Sequence, residues 1–318
     1  MAFYRADAAL DQAASALKEG IERDFAVPAD DWAFTWILHD KKLTDEAGRI
    51  DPARFWQQSP RGATHRGDAA FYPASVAKLF WLVALEGWLE QGKLTETPAI
   101  ARARRDMIEW SSNEATNYLI DLMTGTTSGP EMPDPAFTAW TRARYLPQIY
   151  VRGFRWPELA DFNLCQKFYD DCRYGREYEF VSEDGFNHNR LTTDAAARLL
   201  VAIVGGVAVT PSRAKAMADL CRRPIDAASR AADPGNQVDG FLGEGLPAGS
   251  KLWSKAGWTG WTHHEPSAWR RHDAAYVELP NGGAFTLVVF TQGRARAENV
   301  ALLPEIARRV AAHVDTIR

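Results

Sequence analysis

Apolar residues recur at helical spacing from Ala8 to Asp24, which predicts an amphipathic helix near the start of the chain. The pattern then shortens. Trp32-Ala33-Phe34-Thr35-Trp36-Ile37-Leu38 is aromatic and β-branched, as in a strand. A charged, loop-rich stretch runs to about Ala70. From Val76 to Leu89 apolar residues fill nearly every helical position, including Leu79, Phe80, Leu82, Val83 and Leu85, so this helix is expected to be buried on most sides. Gly92 supplies its stop.

The middle third is rich in Arg, Trp and Pro and predicts helices over Glu114 to Met123 and Asp194 to Val204. The last third reads as strands over Lys251 to Trp258, Asp273 to Leu279 and Ala284 to Thr291, with Pro280-Asn281-Gly282-Gly283 as a hairpin turn. A closing helix carries Val300, Leu303, Ile306, Val310 and Val314 on one face. This order predicts an α/β fold of the α+β type: an antiparallel sheet flanked by helices, plus an all-helical lobe. Residues 1–70 and 205–318 would build the sheet lobe and residues 71–204 the helical lobe, joined as one structural unit. A ligand site is expected in the cleft between them.

Composition narrows the function. A chain of 318 residues with 46% hydrophobic content can bury a large core. Its net charge of -4 offers no broad basic field, so nucleic acid and anionic membranes are poor partners, and a small-molecule substrate fits better. Oligomeric state is left open. The three cysteines, Cys165, Cys172 and Cys221, form no CxxC pair and read as reduced structural thiols. The first residues lack the apolar core of a secretory signal and no apolar run is long enough to span a bilayer, so a soluble, cytoplasmic protein is expected. No cofactor or metal is implied: His263-His264-Glu265 has no Cys/His cluster to support it and reads as a loop at a site rim. No phosphate-cradling glycine loop occurs.

Three short motifs carry the chemistry. In Ser75-Val76-Ala77-Lys78 a separation of three places serine and lysine one turn apart on one helix face. A helix-start serine with a snorkelling lysine would look the same. A lysine in so apolar a helix must snorkel or be desolvated, and desolvation lowers an amine from its reference pKa of about 10.4 toward that of a usable base. Ser111-Ser112-Asn113 precedes the helix at Glu114, where Ser111 and Glu114 also fit a capping box, so a structural and a catalytic role both stand. Lys255-Ala256-Gly257 lies on a predicted strand before Trp258, and the small residues after the lysine would leave open backbone for a substrate to approach.

In the order S-x-x-K, S-x-N, K-x-G, these motifs resemble the signature of class A β-lactamases and penicillin-binding proteins. Phe71-Tyr72-Pro73-Ala74 before the first motif, Glu114-Ala115-Thr116-Asn117-Tyr118-Leu119 after the second, Leu191-Thr192-Thr193-Asp194-Ala195-Ala196, and Gly245-Leu246-Pro247-Ala248-Gly249 extend the resemblance from about Ala70 onward. It implies a serine hydrolase that forms an acyl-enzyme at Ser75 from an ester or amide. Lys78 would be the activating base, and Ser111 the hydroxyl that passes a proton to the leaving group. Asn113 would orient Lys78 and substrate. Lys255 would raise the positive potential and hold an anionic group, and the backbone N–H groups of Ser75 and Trp258 would form the oxyanion hole.

The sequence departs from that pattern in three places. Ala256 stands where the family usually has Thr or Ser, which argues against efficient penicillin turnover. The interval from Ser75 to Ser111 is short, which implies a trimmed helical lobe and a more open site. Arg155-Trp156-Pro157-Glu158-Leu159 is similar to the loop that carries the deacylating glutamate, one residue out of register, which makes Glu158 the candidate base. Trp253, Trp258, Trp261 and Trp269 could line an aromatic pocket or pack in the core. A noncatalytic ligand-binding or biosynthetic accessory protein of the same fold, and a glutaminase-like amidohydrolase sharing the S-x-x-K helix, are the alternatives.

Overall fold

The computed structural model describes residues 2–169, 172–182, 187–233, 235–314 and 316. Among these the strands form one six-stranded antiparallel sheet in the order β2-β1-β6-β5-β4-β3. They are β1 (Trp32–His39), β2 (Arg61–His65), β3 (Arg222–Arg223), β4 (Lys251–Thr259), β5 (Arg270–Glu278) and β6 (Ala284–Thr291). The hairpin turn between β5 and β6 falls where expected, with Gly282 at φ 91°. Strand β2 lies in the stretch that reads as loop, because an edge strand carrying Arg61 and His65 shows no apolar alternation.

Both faces of the sheet are covered, which explains why β1 reads as an unbroken apolar run. Trp32, Phe34, Trp36 and Leu38 point to one side, where they meet the helices Ala8–Phe25 and Leu302–Val314. Ala33 and Ile37 point to the other, against the helices Lys78–Glu90 and Thr193–Val204. Val300 precedes the last helix and is exposed, so the helical face begins at Leu302.

The helix Thr193–Val204, placed by sequence in the helical lobe, packs on β1, β5 and β6. Its first turn is fixed by buried polar contacts: Thr35 Oγ1 donates to Asp194 Oδ1 at 2.6 Å, and Tyr4 Oη adds a bond at 3.3 Å. The helices Pro98–Glu109, Asn113–Thr124, Ala136–Arg144 and Leu146–Arg152 build the lobe on the far side of Lys78–Glu90. Among the described residues no helix is long and apolar enough to cross a membrane. Cys165 and Cys221 are buried free thiols, and Cys172 is exposed.

Candidate active site

The first motif straddles a change of helix type. Ala74–Ala77 is a 3-10 turn that runs directly into the α-helix Lys78–Glu90. Ala74 sits at φ 45°, a left-handed value that costs an L-residue roughly 1–2 kcal/mol. The turn is held from outside. A Cβ placed on Gly257 would lie 2.9 Å from Ser75 N and 3.1 Å from both Val76 N and the Ala74 Cβ. The glycine of the third motif therefore admits the nucleophile turn against β4. His272 supports the same turn: its Nδ1 accepts from Thr291 N at 3.0 Å, so its Nε2–H donates to the Tyr72 carbonyl at 2.9 Å.

Lys78 is fully buried and does not snorkel. Its Nζ donates to Asn113 Oδ1 at 2.7 Å and to the Ser111 carbonyl, lies 3.3 Å from Ser111 Oγ, and sits 4.9 Å from the centre of the Phe168 ring. The ambiguity of the second motif is resolved by the neighbouring serine. Ser112 caps the helix Asn113–Thr124, its Oγ accepting from Ala115 N at 3.0 Å. Ser111, at φ 55°, is turned toward the two lysines instead.

Lys255 approaches Ser111 from the sheet. Its Nζ is 2.9 Å from Ser111 Oγ, 2.6 Å from the Ala256 carbonyl, and also donates to Gln237 Oε1. Burial pushes this amine well below the ordinary lysine range, and the charges of Lys78 and Arg223 push it further. Gln237 went unnoticed in the sequence. Its amide nitrogen reaches the Ile108 and Glu109 carbonyls at 3.0 and 2.8 Å, so it ties the end of Pro98–Glu109 to Lys255. Ala256 is buried opposite Asp273 on β5. Burial raises the Asp273 carboxyl to about 7.

Ser75 and Asn113 open into a cavity of about 400 Å³ whose other walls include Tyr72, Phe168, Tyr169, Arg173, Trp258, Trp261 and Thr262. The tryptophans divide. Trp258 and Trp261 are each 51% exposed on the cavity, whereas Trp253 belongs to the core. The wall bearing Phe168 is pinned by a reciprocal amide pair: Asn117 Nδ2 donates to the Phe168 carbonyl at 2.7 Å, and Phe168 N donates to Asn117 Oδ1 at 2.9 Å. Behind it the buried Arg144–Glu177 pair closes at 2.7 Å. The aromatic wall had no sequence signal beyond its composition.

Glu158 stands elsewhere. Its Oε1 accepts from Phe3 N at 3.0 Å and its Oε2 from Arg198 Nη1 at 2.6 Å, and it does not line the cavity. Arg198 in turn stacks on Phe3, Trp56 and Trp156. The expected deacylating base is thus a clasp for the N-terminal segment. His264 lies in the β4–β5 connection, its Nδ1 2.7 Å from His188 Nε2, and among the described residues no cluster of three metal-ligating side chains occurs.

An antiparallel sheet with this helix order, a serine on a 3-10 turn at the cavity wall, and two buried lysines converging on a second serine define the class of penicillin-recognising folds. The chain belongs to the β-lactamase enzyme family, whose model matches residues 97–314. That match covers the second and third motifs and begins beyond Ser75 and Lys78. Among solved structures the chain is similar to the L158E mutant of PBP-A in an acyl-enzyme complex with penicillin G, at 15% identity over 98% of each chain with a TM-score of 0.63. It is also similar to a β-lactamase from Chitinophaga pinensis, at 15% identity over 95% of this chain and 98% of that one with a TM-score of 0.61. The reconstructed last common ancestor of Gram-negative class A β-lactamases matches at 20% identity over 96% and 99% with a TM-score of 0.56. No curated protein sequence matches. At these identities the structural likeness bears on the fold alone.

Proposed function

We propose that the chain is a serine hydrolase acylated on Ser75 by a small ester or amide. The observation that carries this reading is the convergence of two fully buried amines on Ser111 Oγ, at 3.3 Å from Lys78 and 2.9 Å from Lys255, beside a cavity that Ser75 lines. A neutral lysine has two N–H donors and one lone pair. At Lys78 the Ser111 carbonyl and Asn113 Oδ1 can only accept, so they take both donors and leave the lone pair for a hydroxyl proton.

In the acylation step Ser75 Oγ attacks the carbonyl carbon, forming the C–O bond, while its proton passes to Lys78. The carbonyl electron pair moves onto oxygen, where the N–H groups of Ser75 and Trp258 would receive it. Collapse then breaks the bond to the leaving group, which takes a proton from Ser111, and Ser111 regains one from Lys78. The close approach of Gly257 to Ser75 N supports the pairing of these two backbone donors, each worth roughly 10² to 10³ in rate. Lys255 would keep Ser111 oriented by donating to it.

Intact-mass spectrometry after exposure to a fluorophosphonate, penicillin G and a p-nitrophenyl ester tests the reading. Expected is a single adduct with the fluorophosphonate and at least one acyl donor, lost in Ser75→Ala and slowed at least 100-fold in Lys78→Ala. Folded wild-type protein that takes up none of the three reagents refutes it.

A further inference from the structure

Two basic side chains stand near the reaction cavity, Lys255 buried behind Ser111 and Arg173 on the cavity wall, and they differ in what they have left to offer. Lys255 has none of its hydrogen-bonding capacity free: Ser111 Oγ, Gln237 Oε1 and the Ala256 carbonyl surround its nitrogen. The residue after it is an alanine, so β4 presents no hydroxyl there either. Arg173 is the opposite case. Its guanidinium lines the same cavity as Ser75 and lies 5.2 Å from the centre of the Tyr169 ring. Among the described residues its one hydrogen bond is a long one, from Nη2 to the Lys167 carbonyl at 3.3 Å, and its Nε is buried without a partner. Among the described residues no carboxylate forms an ion pair with it, whereas nearby Lys167 is paired with Asp121 at 2.6 Å.

The guanidinium is also held in place. Its central carbon stands over the Tyr169 ring, and the Asn117–Phe168 amide pair anchors the residue before that tyrosine. Its positive field reaches both His188 and His264. A planar fork with free donors, facing a cavity otherwise walled by Tyr72, Trp258 and Trp261, matches a carboxylate on an aromatic or apolar body.

Resting on the Ser75 reading, we propose that Arg173 is the subsite for a carboxylate of the substrate, which therefore lies toward the side of the cavity bearing Tyr169 and Arg173 and not along β4. The substrate class is an anionic ester or amide.

The test compares acylation of Ser75 by the mono-p-nitrophenyl esters of adipate and suberate with acylation by the neutral hexanoate and octanoate esters of equal length. The readout is the ratio of anionic to neutral acylation rate constants. Wild-type protein is expected to favour the anionic member of at least one pair by roughly tenfold or more, the worth of a hydrogen bond to a charged group. In Arg173→Gln the ratio should fall by roughly tenfold, and Arg173→Lys should restore part of it, with fluorophosphonate labelling of Ser75 reporting that the site is intact. A wild-type ratio near or below one, or a ratio unchanged in Arg173→Gln, overturns the Arg173 assignment and leaves the Ser75 reading standing. If neither ester nor fluorophosphonate labels Ser75, both fall together.

Discussion

Replacing Gly257 with alanine isolates the contact that seats the nucleophile. Gly257 lies within β4 and its φ is not left-handed, so the strand itself accepts alanine, and the whole effect comes from the added methyl. That methyl would meet Ser75 N at 2.9 Å and both Val76 N and the Ala74 Cβ at 3.1 Å. The obstructing atoms are backbone and one Cβ, so no flexible side chain can swing aside. The 3-10 turn must retreat from the strand by a few tenths of an ångström. Overpacking of this kind costs about 1–3 kcal/mol. At roughly 1.5 °C of Tm per kcal/mol for a chain of this size, the midpoint should fall by about 2–5 °C. Catalysis should suffer more. A displacement of about 1 Å costs on the order of 100-fold, so a retreat of a few tenths, with the Ser75 N–H carried away from the Trp258 N–H, predicts acylation slowed roughly tenfold. Burst kinetics with a p-nitrophenyl ester and calorimetry measure the two effects. Ala74→Gly, which removes one clashing methyl and relieves the left-handed φ of 45°, should recover part of the lost stability in the double variant. An acylation rate within twofold of wild type, with an unshifted midpoint, would refute the reasoning.

Three further outcomes are expected. Because Asp273 titrates at about 7 in the folded state against 3.8 when free, the folded protein holds a proton that the unfolded chain releases between those values. Its carboxyl therefore destabilises increasingly as pH rises from about 4 to about 7; Asp273→Asn should be near neutral at pH 4 and stabilise by up to about 4 kcal/mol above pH 7 in denaturant titrations. Glu158→Gln should lower stability by about 3–5 kcal/mol, the scale of a broken buried pair, yet leave Ser75 acylation within a few-fold of wild type; a deacylation rate that collapses while stability holds would restore it as the base. Ser112→Ala should lose about 1 kcal/mol of helix capping with little change in rate, and Ser111→Ala the reverse, with acylation slowed by roughly 10²-fold or more; equal stability losses and equal rates in the two variants would contradict the division of roles.

Spacing and element type were enough to bring the three motifs toward one cleft, because a serine and lysine three apart share a helix face and K-x-G sat in a run of strand-forming residues. The C-terminal strands were equally legible, each bounded by turn residues. What the sequence left undecided depended on one-residue shifts and on distant partners. The capping box that the sequence offers at Ser111 shifts by one residue: Ser112 caps the helix, and Ser111 takes a left-handed φ. Glu158 lies close to the expected register, but Arg198 and Phe3 N, far from it in sequence, claim both its oxygens. Gln237 and Arg173 sit in polar loops with no periodicity, and the partners of Gln237, which are Ile108, Glu109 and Lys255, are distant in the chain, so nothing local marks either residue. Gly257 was legible as a close approach, and the group that approaches its Cβ position is the Ser75 turn.

Cys172 adjoins Arg173 in the chain and is exposed, while burial pushes the Cys165 thiol up to about 12 and the Cys221 thiol up to about 11. At neutral pH a maleimide dye should therefore spare both core thiols of the folded chain. A fluorescent reporter placed on an exposed cysteine would read its own surroundings, with no background from Cys165 or Cys221.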